Sequence, residues 1–257
     1  MPAVELVADS GDYVLKSAKA SDFLLSTLML ADITDKLGLL QNSMLTSFAE
    51  KEVTDLCNKF TAATKAGLKS FEESTVRDPK IPTNGTVSEQ TSNAVTFLKR
   101  VVEFKAGVAP LLGRPVEAFV AVTLQTLKSA ISTKCAREKA TPLVCAFHIN
   151  NYQHLLSSVE TSKRLRQCVH SDLIDSLNGG VATMIQRYLE CWSKPAKCLE
   201  QCRQAARDNN DRKHFKPIME AFHSAFVDVV AQHAGIVIPD GTLRQQVQQT
   251  VMDKVLS

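Results

Sequence analysis

Between Phe215 and His233 the large apolar and aromatic side chains recur in steps of four and three: Phe215, Met219, Phe222, Phe226, Val229, His233. That spacing lines one side of an α-helix at 3.6 residues per turn. It fits neither face of a β-strand, where the period is two. A seam of this kind packs on antiparallel neighbours. The same spacing governs most of the chain, and no run alternates apolar and polar residues as a half-buried strand would. With only 10 Gly in 257 residues and 44% hydrophobic content, composition points the same way. The expected fold class is all-α, a helical bundle of eight or nine helices joined by short loops.

Helix boundaries follow from local signals. A first helix is expected from Tyr13 to Leu40. A second carries Met44, Phe48, Leu56, Phe60, Ala63, Leu68 and Phe71 on one side and ends near Arg77-Asp78-Pro79. Pro82, Asn84 and Gly85 make a turn. Thr86 and Glu89 then have the spacing of a capping box, opening a helix with Val87, Thr91, Val95, Leu98 and Val102 on its stripe. Gly107, Pro110, Gly113 and Pro115 predict a break, and a helix follows from about Val116 to Arg137. The segment Ala146–Glu160 reads as helical, with Asn150 and Asn151 expected to cap or to hydrogen-bond between helices. Asn178-Gly179-Gly180 predicts another break, and Pro195 a further one. A helix is expected from Arg212 to His233, with Pro217 in its first turn, and a last one from Thr242. Trp192, the one tryptophan, is expected in the core.

Seven cysteines sit irregularly, and MPAVELVADSGDY has neither a basic start nor an apolar stretch, so free thiols in a reducing compartment are expected. The most apolar run, Phe23–Ala31, is about half the roughly 20 residues a membrane span needs. Charge is unevenly placed. Residues 1–90 carry nine Lys and Arg against thirteen Asp and Glu, and residues 91–257 carry twenty-one against fourteen. Between Lys194 and Lys216 lie seven basic residues (Lys194, Lys197, Arg203, Arg207, Arg212, Lys213, Lys216) and three acidic ones (Glu200, Asp208, Asp211). Few aromatics interleave with them, which argues against a single-stranded nucleic-acid groove. Scattered Lys and Arg suit an acidic lipid surface or an acidic protein.

Chemistry-bearing motifs are sparse. The chain has no G-x-x-x-x-G-K-[ST], G-x-G-x-x-G or G-x-S-x-G. Cys198 and Cys202 are one helical turn apart, with Cys191 upstream and His214 downstream. Only two of these four share a helical face, short of a structural zinc site, and free thiols are the expected state. No metal, no cofactor and no catalytic residue is assigned.

Four pieces in order carry a family resemblance: P-x-N-G-T-V-x-E-x-T-S-N-A-x-x-F-L at Pro82–Leu98, F-H-I-N-N-Y at Phe147–Tyr152, K-P-I-M-E-A-F at Lys216–Phe222 and I-P-D-x-x-L-R at Ile238–Arg244. Together they resemble the family of exocyst complex component seven, the seventy-kilodalton exocyst subunit. The resemblance covers roughly Leu24 to Lys254. It implies an elongated, cullin-repeat-like stack of antiparallel helical bundles. The chain would be a C-terminal fragment of it, one helical domain over 1–257 with sub-bundles near 13–80 and 86–257. It implies a non-enzymatic part in tethering vesicles at the plasma membrane during exocytosis. The partners implied are other exocyst subunits, a Rho-type small GTPase and an acidic inositol phospholipid, phosphatidylinositol bisphosphate. The location implied is cytoplasmic, peripheral at the inner face of that membrane. Lys216 stands where the family has a lysine implicated in lipid binding. Lys213, Lys216, Arg244 and Lys254 are the candidate lipid-binding residues. Glu220 and His223 depart from the family pattern, and family members continue past Ser257 with a further basic helix. A helical protein–protein adaptor without lipid binding is the alternative.

Overall fold

A computed structural model describes residues 47–139, 141–207 and 212–256. The described residues are all-α, as the apolar spacing predicts, and contain no strand. Ten helices follow one another: α1 (Ser47–Thr75), α2 (Glu89–Glu103), α3 (Lys105–Leu112), α4 (Val116–Arg137), α5 (Pro142–Thr161), α6 (Lys163–Gln167), α7 (Ser171–Glu190), α8 (Ser193–Arg207), α9 (Arg212–His233) and α10 (Gly241–Leu256). The helix expected over Tyr13–Leu40 lies outside the described residues. No single described helix is long and apolar enough to cross a membrane.

The chain divides into two compact units. The first takes in residues up to Arg77 together with Gln90–Leu127 and Ser158–His170. Its core is an aromatic cluster from three helices. Phe71 lies 4.1 Å from Phe97 and 6.1 Å from Phe119, ring centre to ring centre, and Leu98, Val101, Val108 and Val120 around it are fully buried. Phe97 and Phe119 meet edge to face, which suits their quadrupoles. Arg114 lays its guanidinium over the Phe119 ring at 5.0 Å and pairs with Glu72.

The second unit comprises Asp78–Glu89, Lys128–Ser157 and Ser171–Ser257. Its centre is α5, where Phe147, Ile149, Tyr152 and Leu155 are buried. Two buried amides on that helix hold the loop before α2. Asn151 Oδ1 accepts the Ser88 N–H at 3.1 Å, and its Nδ2 donates to Phe147 O at 2.7 Å. Asn150 Nδ2 donates to Gly85 O at 2.7 Å and to Val237 O at 2.8 Å. The Val237 N–H donates in turn to Asn84 O at 2.9 Å. Both asparagines are structural, as the sequence reading expects, but their partners outside α5 are loop backbone groups, not another helix. Gly85 sits at φ 69°, and a Cβ there would stand 3.2 Å from both Ala146 Cβ and Leu143 O.

Four local expectations are corrected. Thr86 is not a helix cap: its hydroxyl and its N–H both donate to Asn84 Oδ1, at 2.7 and 3.2 Å, and α2 starts only at Glu89. The expected break at Gly179-Gly180 is helical, inside α7. Gly180 is there for packing, since a Cβ would fall 2.4 Å from Tyr152 Cε2. Pro110 lies within the short helix α3, which ends at Gly113 in the left-handed conformation, φ 64°. Pro217 falls in the second turn of α9, not the first. It removes the donor to the Lys213 carbonyl, and it is exposed there.

His148 is buried beside the Tyr152 ring, 4.2 Å away edge to face, with neither ring nitrogen hydrogen-bonded. Burial, helped by the positive charge of Arg187, holds its pKa down at about 4.

Three outcomes follow from this packing. Asn150→Leu strands the buried Gly85 carbonyl and the part-buried Val237 carbonyl and should lower unfolding free energy by about 1–3 kcal/mol in urea titrations. Gly180→Ala should cost about 1–3 kcal/mol by crowding Tyr152. For His148 the folded pKa is depressed, so its contribution to stability is complete above the unfolded value of about 6.5 and is lost as pH falls toward about 4. Between about pH 7 and pH 4.5 this should remove on the order of 2 kcal/mol, and His148→Leu should flatten that part of the pH profile of stability.

Candidate functional site

The basic residues of the sequence converge on the hairpin of α8 and α9. Lys194 and Lys197 lie at the start of α8 and Arg203 and Arg207 in its second half, while Lys213 and Lys216 lie in the first two turns of α9. The two helices pack along Cys202, whose Sγ lies 3.4 Å from Met219 Sδ, and Trp192, whose ring centre lies 6.2 Å from Phe226 and 5.0 Å from His233. Trp192 is half-buried at the end of this interface. α10 packs against α8 and α7.

The four candidate lipid-binding residues are not gathered in one place. Lys216 projects into solvent, its side chain 81% exposed, with Glu220 3.9 Å away. Arg244 is exposed in the first turn of α10, and Lys254 is half-buried in the last turn. Ten residues of helix separate these two, about 15 Å along the axis. Lys213 is placed on α9 next to Lys216; its side chain lies outside the described atoms. The structure therefore puts a single exposed lysine head beside a carboxylate at Lys216, and a second basic position a helix length apart.

Cys145 and Cys202 are buried and the other five thiols are half-buried. Burial pushes Cys135 up to about 12 and Cys145 up to about 11, and it also raises Cys191 and Cys202. A raised thiol pKa suppresses the thiolate that nucleophilic or metal-binding chemistry requires. Cys191 Sγ points to Arg187 O at 3.8 Å, away from Cys202 and its contact with Met219. Among the described residues no group of three or more His, Cys, Asp or Glu side chains is placed to hold a metal ion.

Two clefts escaped the sequence reading, because residues far apart in the chain line each. One, of about 330 Å³ in the first unit, is bordered by Lys65, Lys69, Glu72 and Arg114 over Leu68 and Leu111. The other, of about 570 Å³ in the second unit, is bordered by Lys80, Lys134, Glu138, Lys139 and Thr141 beside Leu143. Lys134 is held there by Glu138 at 3.0 Å and by Asp78 at 3.3 Å. Both clefts carry more cations than anions on their rims, so a small anion is the ligand class they suit. Neither brings a nucleophile against a general base.

The comparisons with known proteins agree on the relationship. The human protein "Exocyst complex component 7" is 23% identical, over 71% of this chain and 29% of its own length. Two structures of Saccharomyces cerevisiae Exo70 each cover 99% of this chain. One has a TM-score of 0.55 at 14% identity and the other a TM-score of 0.52 at 15% identity. This chain spans 57% and 56% of those two yeast chains. The likeness to the yeast structures is one of fold, a helical fold in each case. The family model for the C-terminal region of the Exo70 exocyst complex protein matches residues 2–257, and the chain belongs to that family.

Proposed function

We propose that this chain is the C-terminal part of an exocyst subunit and serves exocytosis without catalysing a reaction, by holding partners on the outside of a helical scaffold. The observation that carries this reading is the family match over residues 2–257, together with the human relative "Exocyst complex component 7". On this reading the chain tethers vesicles at the plasma membrane. It contacts other exocyst subunits and a Rho-type small GTPase, and it lies in the cytoplasm against the inner leaflet. The one-domain, two-sub-bundle organisation given above is part of the same proposal.

Peripheral binding to phosphatidylinositol bisphosphate is assigned to Lys213, Lys216, Arg244 and Lys254. What supports it is the excess of seven basic over three acidic residues between Lys194 and Lys216 and the exposure of Lys216 and Arg244. Each such cation near an acidic leaflet contributes about 1 kcal/mol, reduced by salt. One observation favours the adaptor alternative: Glu220 lies 3.9 Å from Lys216 and weakens the local positive field.

In vesicle flotation at low salt, the chain should bind membranes containing the bisphosphate lipid. Binding should weaken as salt rises and should be competed by soluble inositol phosphate. Lys213→Glu with Lys216→Glu should cost at least about 2 kcal/mol, roughly thirty-fold in affinity. Binding that ignores both salt and the double substitution rules out the assigned patch, and indifference to inositol phosphate favours the adaptor.

A further inference from the structure

Helix α9 has more apolar surface than its neighbours cover. Its buried face runs through Ala225 and Val229. Among the described residues nine large apolar side chains are exposed, and five of them lie on this one helix: Phe215, Met219, Phe226, Val227 and Val230, at 39, 39, 39, 48 and 46%. At about 100° per residue the five occupy an arc of roughly 120° beside the buried face. From Ala225 to Val230 the apolar arc spans about 140°, wider than a surface helix needs to pack on one core, and exposed His223 and Lys216 separate it from Val227. Phe215, Met219, Phe226 and Val230 step along it by four, seven and four. That is a straight stripe about 22 Å long over four turns. The stripe borders the seam along which α9 packs on α8, where Met219 touches Cys202 and Phe226 meets the half-buried Trp192.

We propose that this stripe receives one amphipathic helix of about four turns from another protein, with its apolar residues on the stripe and a Glu and a Lys one turn apart on its flank. Three observations select that occupant. The heptad-like step matches the apolar face of a helix and gives regular seats for its side chains. The exposed apolar area, roughly 400 Å² at about 150–200 Å² per large side chain, is about half of the 800 Å² per partner that a standard interface between folded proteins requires. A single helix fits that area and a second copy of this chain does not. The rim carries Lys216 and Glu220, 3.9 Å apart and mostly exposed, which complements a flank with one charge of each sign. A lipid-inserting helix instead carries Lys and Arg along its flank, and an acidic leaflet repels Glu220. Met219, exposed on the stripe, supplies a soft, adaptable contact.

The inference stands apart from the lipid reading and is tested separately. The probe is a fluorescein-labelled synthetic helix of about four turns, with Leu at the first and fourth heptad positions and one Glu and one Lys on its flank. It is titrated with the full chain by fluorescence anisotropy. Binding is expected to saturate and to weaken at least ten-fold in Met219→Glu and in Val230→Glu, both at exposed positions. Phe215→Glu, at the exposed start of the stripe, serves as the second variant should either melt early by circular dichroism. Val122→Glu, at an exposed valine on α4, should leave binding unchanged. No saturable binding, or equal binding by the stripe variants, overturns the proposal. Dimerisation in sedimentation velocity that Met219→Glu abolishes would assign the stripe to a second copy. Vesicle binding that Met219→Glu abolishes would assign it to lipid. Either result also overturns the proposal.

Discussion

Two carboxamides on one turn of α5 hold two separate pieces of the second unit, the Pro82–Ser88 loop and the turn at Val237. Asn150 joins Gly85 and Val237, and Asn151 joins Ser88; the bonds to Gly85 and Ser88 are buried and the one to Val237 is part-buried. The loop from Pro82 to Ser88 has no regular structure of its own, so its backbone groups need partners from elsewhere. An amide is suited to the task because it offers donors and an acceptor without charge. Buried here as a pair, the two asparagines replace secondary structure as the means by which this loop and the turn before α10 keep their shape. Gly85 completes the arrangement: its positive φ and its close approach to Ala146 and Leu143 leave no room for a side chain.

Around that anchor the scaffold is ordinary hydrophobic packing, and the exceptions have physical causes. His148 is a buried imidazole with no hydrogen bond, a costly group kept neutral by its surroundings. α9 departs in the opposite direction, with apolar residues facing solvent. A helix apolar on two sides is made to pack on two neighbours, and α8 accounts for one. The described thiols that burial touches are pushed toward their neutral form, whereas Lys216 and the apolar stripe of α9 face solvent.

Much of this was legible in the sequence. The bounds of α4 and α9 follow from apolar period and flanking turn residues alone, because both helices obey local signals. The asparagine pair was legible as a structural hydrogen-bonding pair, because Asn is a poor helix former and competes for backbone groups; that its partners are loop backbone groups was not. Two of the misreadings have identifiable causes, one distant in the chain and one partly local. Gly179-Gly180 has the composition of a break, but the Tyr152 ring needs the missing Cβ of Gly180. Thr86 and Glu89 have the spacing of a cap, but Asn84 takes the hydroxyl and Asn151 takes the Ser88 amide. The candidate site was legible only as a list of lysines and arginines. That Lys216 faces Glu220, that Arg244 and Lys254 lie at opposite ends of α10, and that Lys65 and Arg114 share a cleft are facts of the third dimension.

The central physical claim is that the Asn150–Asn151 pair makes the Pro82–Ser88 loop and the Val237 turn part of the cooperative core. Native-state hydrogen exchange at the Ser88 and Val237 amides tests it most directly, since neither amide belongs to a helix. If the claim holds, both amides exchange only through global unfolding, with the same free energy and denaturant dependence as amides in the middle of α5. Exchange at the rate of an open loop, independent of denaturant, would contradict it.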